Sequence, residues 1–230
     1  MHIPASPAAL LHLLQLASPT LPIGGYSYSQ GLEAAMEKGL VHDEASARDW
    51  LIAALDEVVT RFDAPLLWRL LQAWSTCDSD AIAYWTAVAL AGRDTAEFRA
   101  ETVQMGYSLA GLTTDLAIAD TKRQAILAAL PEVPLHCALA CAAVAMGIPA
   151  EATLLGMLFS WAENQVLVCV KSVPLGQVAG QRLLLSLHPA LAAAALKAQT
   201  LEDDDLGNWT PGLSLLSMQH ETQYSRLYRS

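Results

Sequence analysis

Three sets of residues have the types and spacing to do chemistry. His136, Cys137 and Cys141 fall within two turns of one helix, and the two cysteines at i, i+4 share a face. Two thiolates and an imidazole are a donor set for a soft or borderline metal ion. No fourth ligand accompanies them and the run is strongly apolar, so core packing is the preferred reading. Glu163, with Asn164 and Gln165, interrupts another apolar helix, and Lys171 follows two turns later on nearly the same face. A Glu163–Lys171 link reads as a polar seam between helices in preference to a catalytic pair. The third set is Gly24 to Ser29, a Gly-Gly-Tyr-Ser-Tyr-Ser turn able to approach a ligand or another surface closely. Phosphate chemistry would need G-x-x-x-x-G-K-[ST] after a strand, and an acyl-transfer nucleophile G-x-S-x-G; neither occurs.

That turn lies in the least ordinary stretch of the chain, Ser18 to Glu33, with Pro19, Pro22, three glycines and two tyrosines. Its counterpart is the end, Met218 to Ser230. There Tyr224, Leu227 and Tyr228 stand at i, i+3, i+4, so a helix would gather them on one side, flanked by Arg226 and Arg229. Tyrosine and arginine are enriched where binding energy concentrates.

The elements that must position these residues are helical throughout. Ser6-Pro7 opens a first helix through Leu16, and Gly39 ends a second that begins at Leu32. Asp43 caps a third helix through Phe62, and Asp63-Ala-Pro65 restarts the chain for a fourth. Asp78 or Asp80 opens a fifth, and Asp94-Thr-Ala-Glu97 reads as a capping box. Further helices are expected over Asp115–Leu130, Leu135–Met146, from Pro149 to an end before Pro174, over Leu175–Leu187 and over Pro189–Thr200. The fold class is all-α: one compact domain over residues 1–206 and a docking or partner-binding tail over 207–230, set off by the acidic run Glu202 to Asp205.

Composition narrows the function. Hydrophobic residues make up 53% of the chain and charged ones 16%, too little charge to cover the surface, which points to faces buried against partners. The net charge of −10 argues against nucleic acid and against an anionic membrane. The start, Met1-His-Ile-Pro, lacks the basic region of a secretory signal, and the four cysteines form no CxxC pair, so a cytoplasmic protein with reduced thiols is expected. The most membrane-like run, Val133 to Ala150, is broken by Pro134, His136, Gly147 and Pro149 and reads as a buried helix.

Three segments together resemble one family, the urease accessory proteins UreF: Leu16 to Glu33, Lys171-Ser-Val-Pro-Leu-Gly-Gln177, and His220-Glu-Thr-Gln-Tyr-Ser-Arg-Leu-Tyr-Arg-Ser230. The one departure is Tyr228, where relatives often carry phenylalanine. The resemblance implies a cytoplasmic, all-α chaperone that is not an enzyme and has no cofactor of its own. It implies binding to the accessory protein UreD (UreH in some lineages), recruitment of the GTPase UreG to apo-urease, regulation of that GTPase during nickel insertion, and homodimers. Lys171 and Gln177, on the family's Lys-x-Val-Pro-x-Gly-Gln motif, are then partner-binding candidates, Lys171 for contact with the GTPase. Tyr224, Arg226 and Tyr228 are candidates for the UreD side or for self-docking, and Tyr26, Tyr28, His220, Glu221 and Arg229 are further partner-binding candidates. Two further expectations follow. Arg226 should bond or stack with Tyr26, and deletion of Gln219–Ser230 should leave the domain folded while abolishing assembly. The alternative is a small-ligand or nickel-carrying helical protein using the Gly24–Ser29 turn or Cys137 and Cys141.

Overall fold

The computed structural model describes residues 6–173 and 175–230, and among these it is all helix, turn and loop. The readings made for Met1-His-Ile-Pro and for Pro174 lie outside the described residues. The α-helices are α1 (Pro7–Leu16), α2 (Leu32–Glu37), α3 (Glu44–Ala54), α4 (Ala64–Thr76), α5 (Ser79–Ala91), α6 (Ala96–Asp115), α7 (Thr121–Ala129), α8 (Leu135–Ala145), α9 (Ala150–Ser172), α10 (Gln177–Thr200) and α11 (Pro211–His220).

Among the described residues, five of the eleven helix starts carry a side-chain cap. Ser6 accepts from the Ala9 amide, Asp43 forms a reciprocal box with Ser46, and Asp78 accepts from Asp80 and Ala81. Two starts differ from expectation. Thr95, not Asp94, caps α6 by accepting from the Phe98 amide, which frees Glu97 for a tertiary role. α6 also runs on to Asp115, and α7 begins only at Thr121, with Asp120 accepting from the Arg123 amide.

Two of the prolines read as helix breaks, Pro65 and Pro189, are absorbed. Leu55–Asp63 is a π-helical segment that joins α3 to α4 without interruption. Pro65 denies the Arg61 carbonyl its usual partner, and the Gly207 amide takes it instead at 3.2 Å. Pro189 lies inside a continuous α10, on its exposed side, where the carbonyl it frees four residues back can meet water.

The core is one cluster in which α9 packs along α10, and α8 packs against α4 and α6. Gly106 lets α6 reach the turn before α8, because a Cβ there would stand 2.0 Å from the Val133 carbonyl oxygen. Gly180 does the same for α10 on α9, with a Cβ 2.5 Å from Val170, whereas Gly176 has open space around it. α9 is long and apolar enough to cross a membrane by length and composition, but half of its apolar window is buried within the fold. The tail departs from its expected helix. α11 stops at His220, and residues 221–230 cross the surface in irregular conformation.

Candidate partner-binding surface

The two unusual segments meet. The Arg229 amide donates to the Ser27 carbonyl at 2.8 Å, and the Ser29 amide donates to the Ser230 carbonyl at 2.7 Å. The turn that permits this begins at Gly24, whose φ of 77° favours glycine, and passes Gly25 beside Met105. Gln30 is also left-handed, at φ 55°. It is held there by its side chain, which accepts from Trp161 of α9 at 2.9 Å and donates to Glu101 of α6 at 2.7 Å. A strained backbone of this kind persists because the surroundings over-determine it.

At the centre is Glu33, a buried carboxylate in the first turn of α2. Oε1 accepts from the Leu227 amide at 2.7 Å, and Oε2 accepts from the Tyr228 amide at 3.1 Å and pairs with His220 Nε2 at 3.0 Å. His220, fully buried, places Nδ1 3.0 Å from Glu97 Oε2 on α6. Arg226 Nη1 donates to Glu97 Oε1 at 3.1 Å. Each imidazole nitrogen faces a carboxylate, and each carboxylate also holds a donor from the tail. The clamp therefore ties α2, α6, α11 and the tail together.

Of the residues expected to bind partners, the tyrosines divide by burial. Tyr28 is buried and donates to Gln104 at 2.8 Å; burial pushes its hydroxyl pKa up, against the opposing influence of Arg229. Tyr228 is buried beside Lys171, whose Nζ lies 5.9 Å from the ring centroid, and burial pushes its hydroxyl up to about 12. Tyr224 is fully exposed, and Leu227 is 73% exposed. Glu221 and Arg229 are exposed at the rim, as is Gln177 at the start of α10.

Two expected pairs do not form. Tyr26 donates to Glu163, and burial together with that carboxylate pushes its hydroxyl pKa far up; Arg226 goes to Glu97. The ends of the chain do come together, but through main-chain bonds and not through a Tyr26–Arg226 contact. Lys171 lies against Tyr228, not Glu163.

The alternative sites also have places. Cys137 and Cys141 are fully buried in α8, and burial pushes their thiols up to about 11 and about 12, so in the absence of a metal both are protonated. Gly25 and Tyr26 of the Gly24–Ser29 turn line a cavity of about 180 Å³, with Leu13, Leu21, Phe98 and Met157 among its apolar sides. Its polar end holds Arg93 paired with Asp63, and His136 3.4 Å from the same carboxylate. Burial pushes the Glu101 carboxyl up to about 7 and the His136 imidazole down to about 4.

Glu33, Glu97 and Glu101 were not singled out from sequence as binding residues. Glu33 carried a signal in closing the Ser18–Glu33 stretch, whereas Glu97 was masked by a plausible cap.

A family model described as UreF matches residues 41–188. Among curated proteins, the chain is 69% identical over 222 residues to a protein named urease accessory protein UreF from Janthinobacterium sp. (strain Marseille), covering 96% of this chain and 98% of that one. A protein of the same name from Nitrosospira multiformis is 63% identical, again covering 96% and 98%. Another from Azoarcus sp. (strain BH72) is 49% identical, covering 96% of this chain and 95% of the relative.

Proposed function

The chain belongs to the UreF family of urease accessory proteins, and from that premise we propose that it is a scaffold and regulator in GTP-dependent nickel insertion. It is an accessory protein and not an enzyme. In this reading it works in the cytoplasm as a homodimer, joins UreD (or UreH), and brings the GTPase UreG to apo-urease. One observation carries the reading: a buried Glu33–His220–Glu97 clamp is spent on fixing a tail whose Tyr224 and Leu227 side chains then face solvent. An exposed aromatic and an exposed leucine held on a rigid support match the anchor residues of protein interfaces. They constitute the UreD side. Lys171, Gln177 and the neighbouring start of α10 constitute the GTPase side.

The test is co-purification from cells that also express the other urease accessory proteins and urease. The double variant Tyr224→Ala, Leu227→Ala removes only exposed side chains, so the fold stays intact while UreD is lost from the complex. Unchanged recovery of UreD with a normally folded variant would overturn the assignment.

A further inference from the structure

We propose that the cavity walled by α1, Gly25, Tyr26, α6, α8 and α9 is a binding site for a small uncharged primary carboxamide with an apolar body. The proposal does not rest on the partner assignments above.

Size and walls define the body of the ligand. At about 180 Å³ the cavity exceeds the roughly 150 Å³ that admits benzene in an apolar interior. Leu13, Leu21, Phe98, Leu139 and Met157 give it apolar surface. Asp94, which also lines it, is exposed, so the cavity opens to solvent and no segment has to leave before a ligand enters.

The polar end defines the head. Three lining side chains, Arg93, His136 and Asn164, each keep a buried polar atom with no partner among the described residues. Buried polar groups are ordinarily satisfied, so three around one cavity point to a missing ligand. Arg93 spends Nη2 on Asp63 and keeps its Nε–H. His136, 6% exposed, turns Nε2 toward the same carboxylate at 3.4 Å, and burial holds its imidazole down to about 4. The neutral ring therefore carries its proton on Nε2, toward Asp63, and keeps Nδ1 as an acceptor. Asn164, 9% exposed, donates Nδ2 to the Tyr28 carbonyl at 2.9 Å, which orients its amide and leaves Oδ1 as a second acceptor.

The free set is one donor and two acceptors. A primary carboxamide is its complement, with a carbonyl for the Arg93 Nε–H and two N–H bonds for His136 Nδ1 and Asn164 Oδ1. A carboxylate has no proton for either acceptor, and an ammonium has no acceptor for Arg93. An uncharged head also suits an end where Asp63 already neutralises Arg93.

The test titrates benzamide into the full chain with isotopically labelled methionine methyl groups. Met105 and Met157 line the cavity, so their methyl resonances report entry. The expected result is a saturable shift of both with benzamide, and binding weaker by about tenfold or more for benzoate and for ethylbenzene, which lack the complementary head. His136→Phe keeps a ring and removes Nδ1; it should weaken benzamide by about tenfold and leave ethylbenzene unchanged. Where that variant does not fold, the wild-type comparison decides alone. Benzamide that leaves both resonances unmoved overturns the proposal, since water then meets the three atoms. Equal binding of ethylbenzene or benzoate overturns it as well, and so does unchanged benzamide affinity in folded His136→Phe protein.

Discussion

Glu33 and His220 are 187 residues apart in sequence and 3.0 Å apart in the fold, both buried. Each is one of the other's buried partners. A carboxylate in the first turn of α2 is favoured by the helix dipole, yet burial costs it solvation that only directed donors restore. The tail provides those donors, which makes its position a consequence of the electrostatics at the start of α2.

Glu33→Ala leaves the Leu227 and Tyr228 amides and one side of His220 without a partner. We expect a loss of about 3 kcal/mol in unfolding free energy by denaturant titration, the scale for removing one member of a buried pair. Hydrogen exchange at the two amides rises with it.

Deletion of Gln219–Ser230 takes His220 with it and strands Glu33 and Glu97. The truncated chain is expected to stay folded, as the sequence suggests, at reduced stability. A fall in melting temperature of several degrees, on the scale of about 4–8 °C per kcal/mol for small domains and about half that at this size, is the expected calorimetric result.

Glu101 gives a pH signature. Its folded-state pKa is raised from the ordinary 4.5 to about 7, chiefly by burial, so the folded protein holds this proton where the unfolded chain has lost it. Stability therefore falls as pH rises between those values and levels off above about 7. Glu101→Gln removes that component, on the order of 3 kcal/mol at most. Denaturation midpoints of the wild type and the variant, compared across the window, should converge at low pH and separate as pH rises.

Gly106→Ala places a methyl against the Val133 carbonyl and the Pro134 backbone, where no flexible side chain can yield. Overpacking of this kind costs about 1–3 kcal/mol or more, read as a lower denaturation midpoint.

The double variant Cys137→Ala, Cys141→Ala tests the carrier alternative. Both thiols are buried and protonated, so equilibrium dialysis with nickel should give the same stoichiometry as the wild type. A loss of bound nickel would restore the alternative.

Sequence by itself determined the helical class, most helix starts and the two segments that matter, because caps and hydrophobic spacing act within a turn or two of the chain. Ser6, Asp43 and Asp78 could be read as caps directly. The UreF resemblance was legible for the same reason: its motifs are contiguous. Only the tertiary structure decided which polar groups meet. Asp94-Thr-Ala-Glu97 has the letters of a capping box, but Thr95 takes the cap and Glu97 goes to His220 and Arg226. Pro65 and Pro189 look like breaks because local rules cannot foresee a donor from Gly207 or an exposed carbonyl. Tyr228 sits in a helical pattern with Tyr224, yet Glu33 captures the Leu227 and Tyr228 amides and holds the segment out of helix. A buried charge takes its donors from whatever part of the chain the fold brings near, and sequence spacing carries no record of that choice.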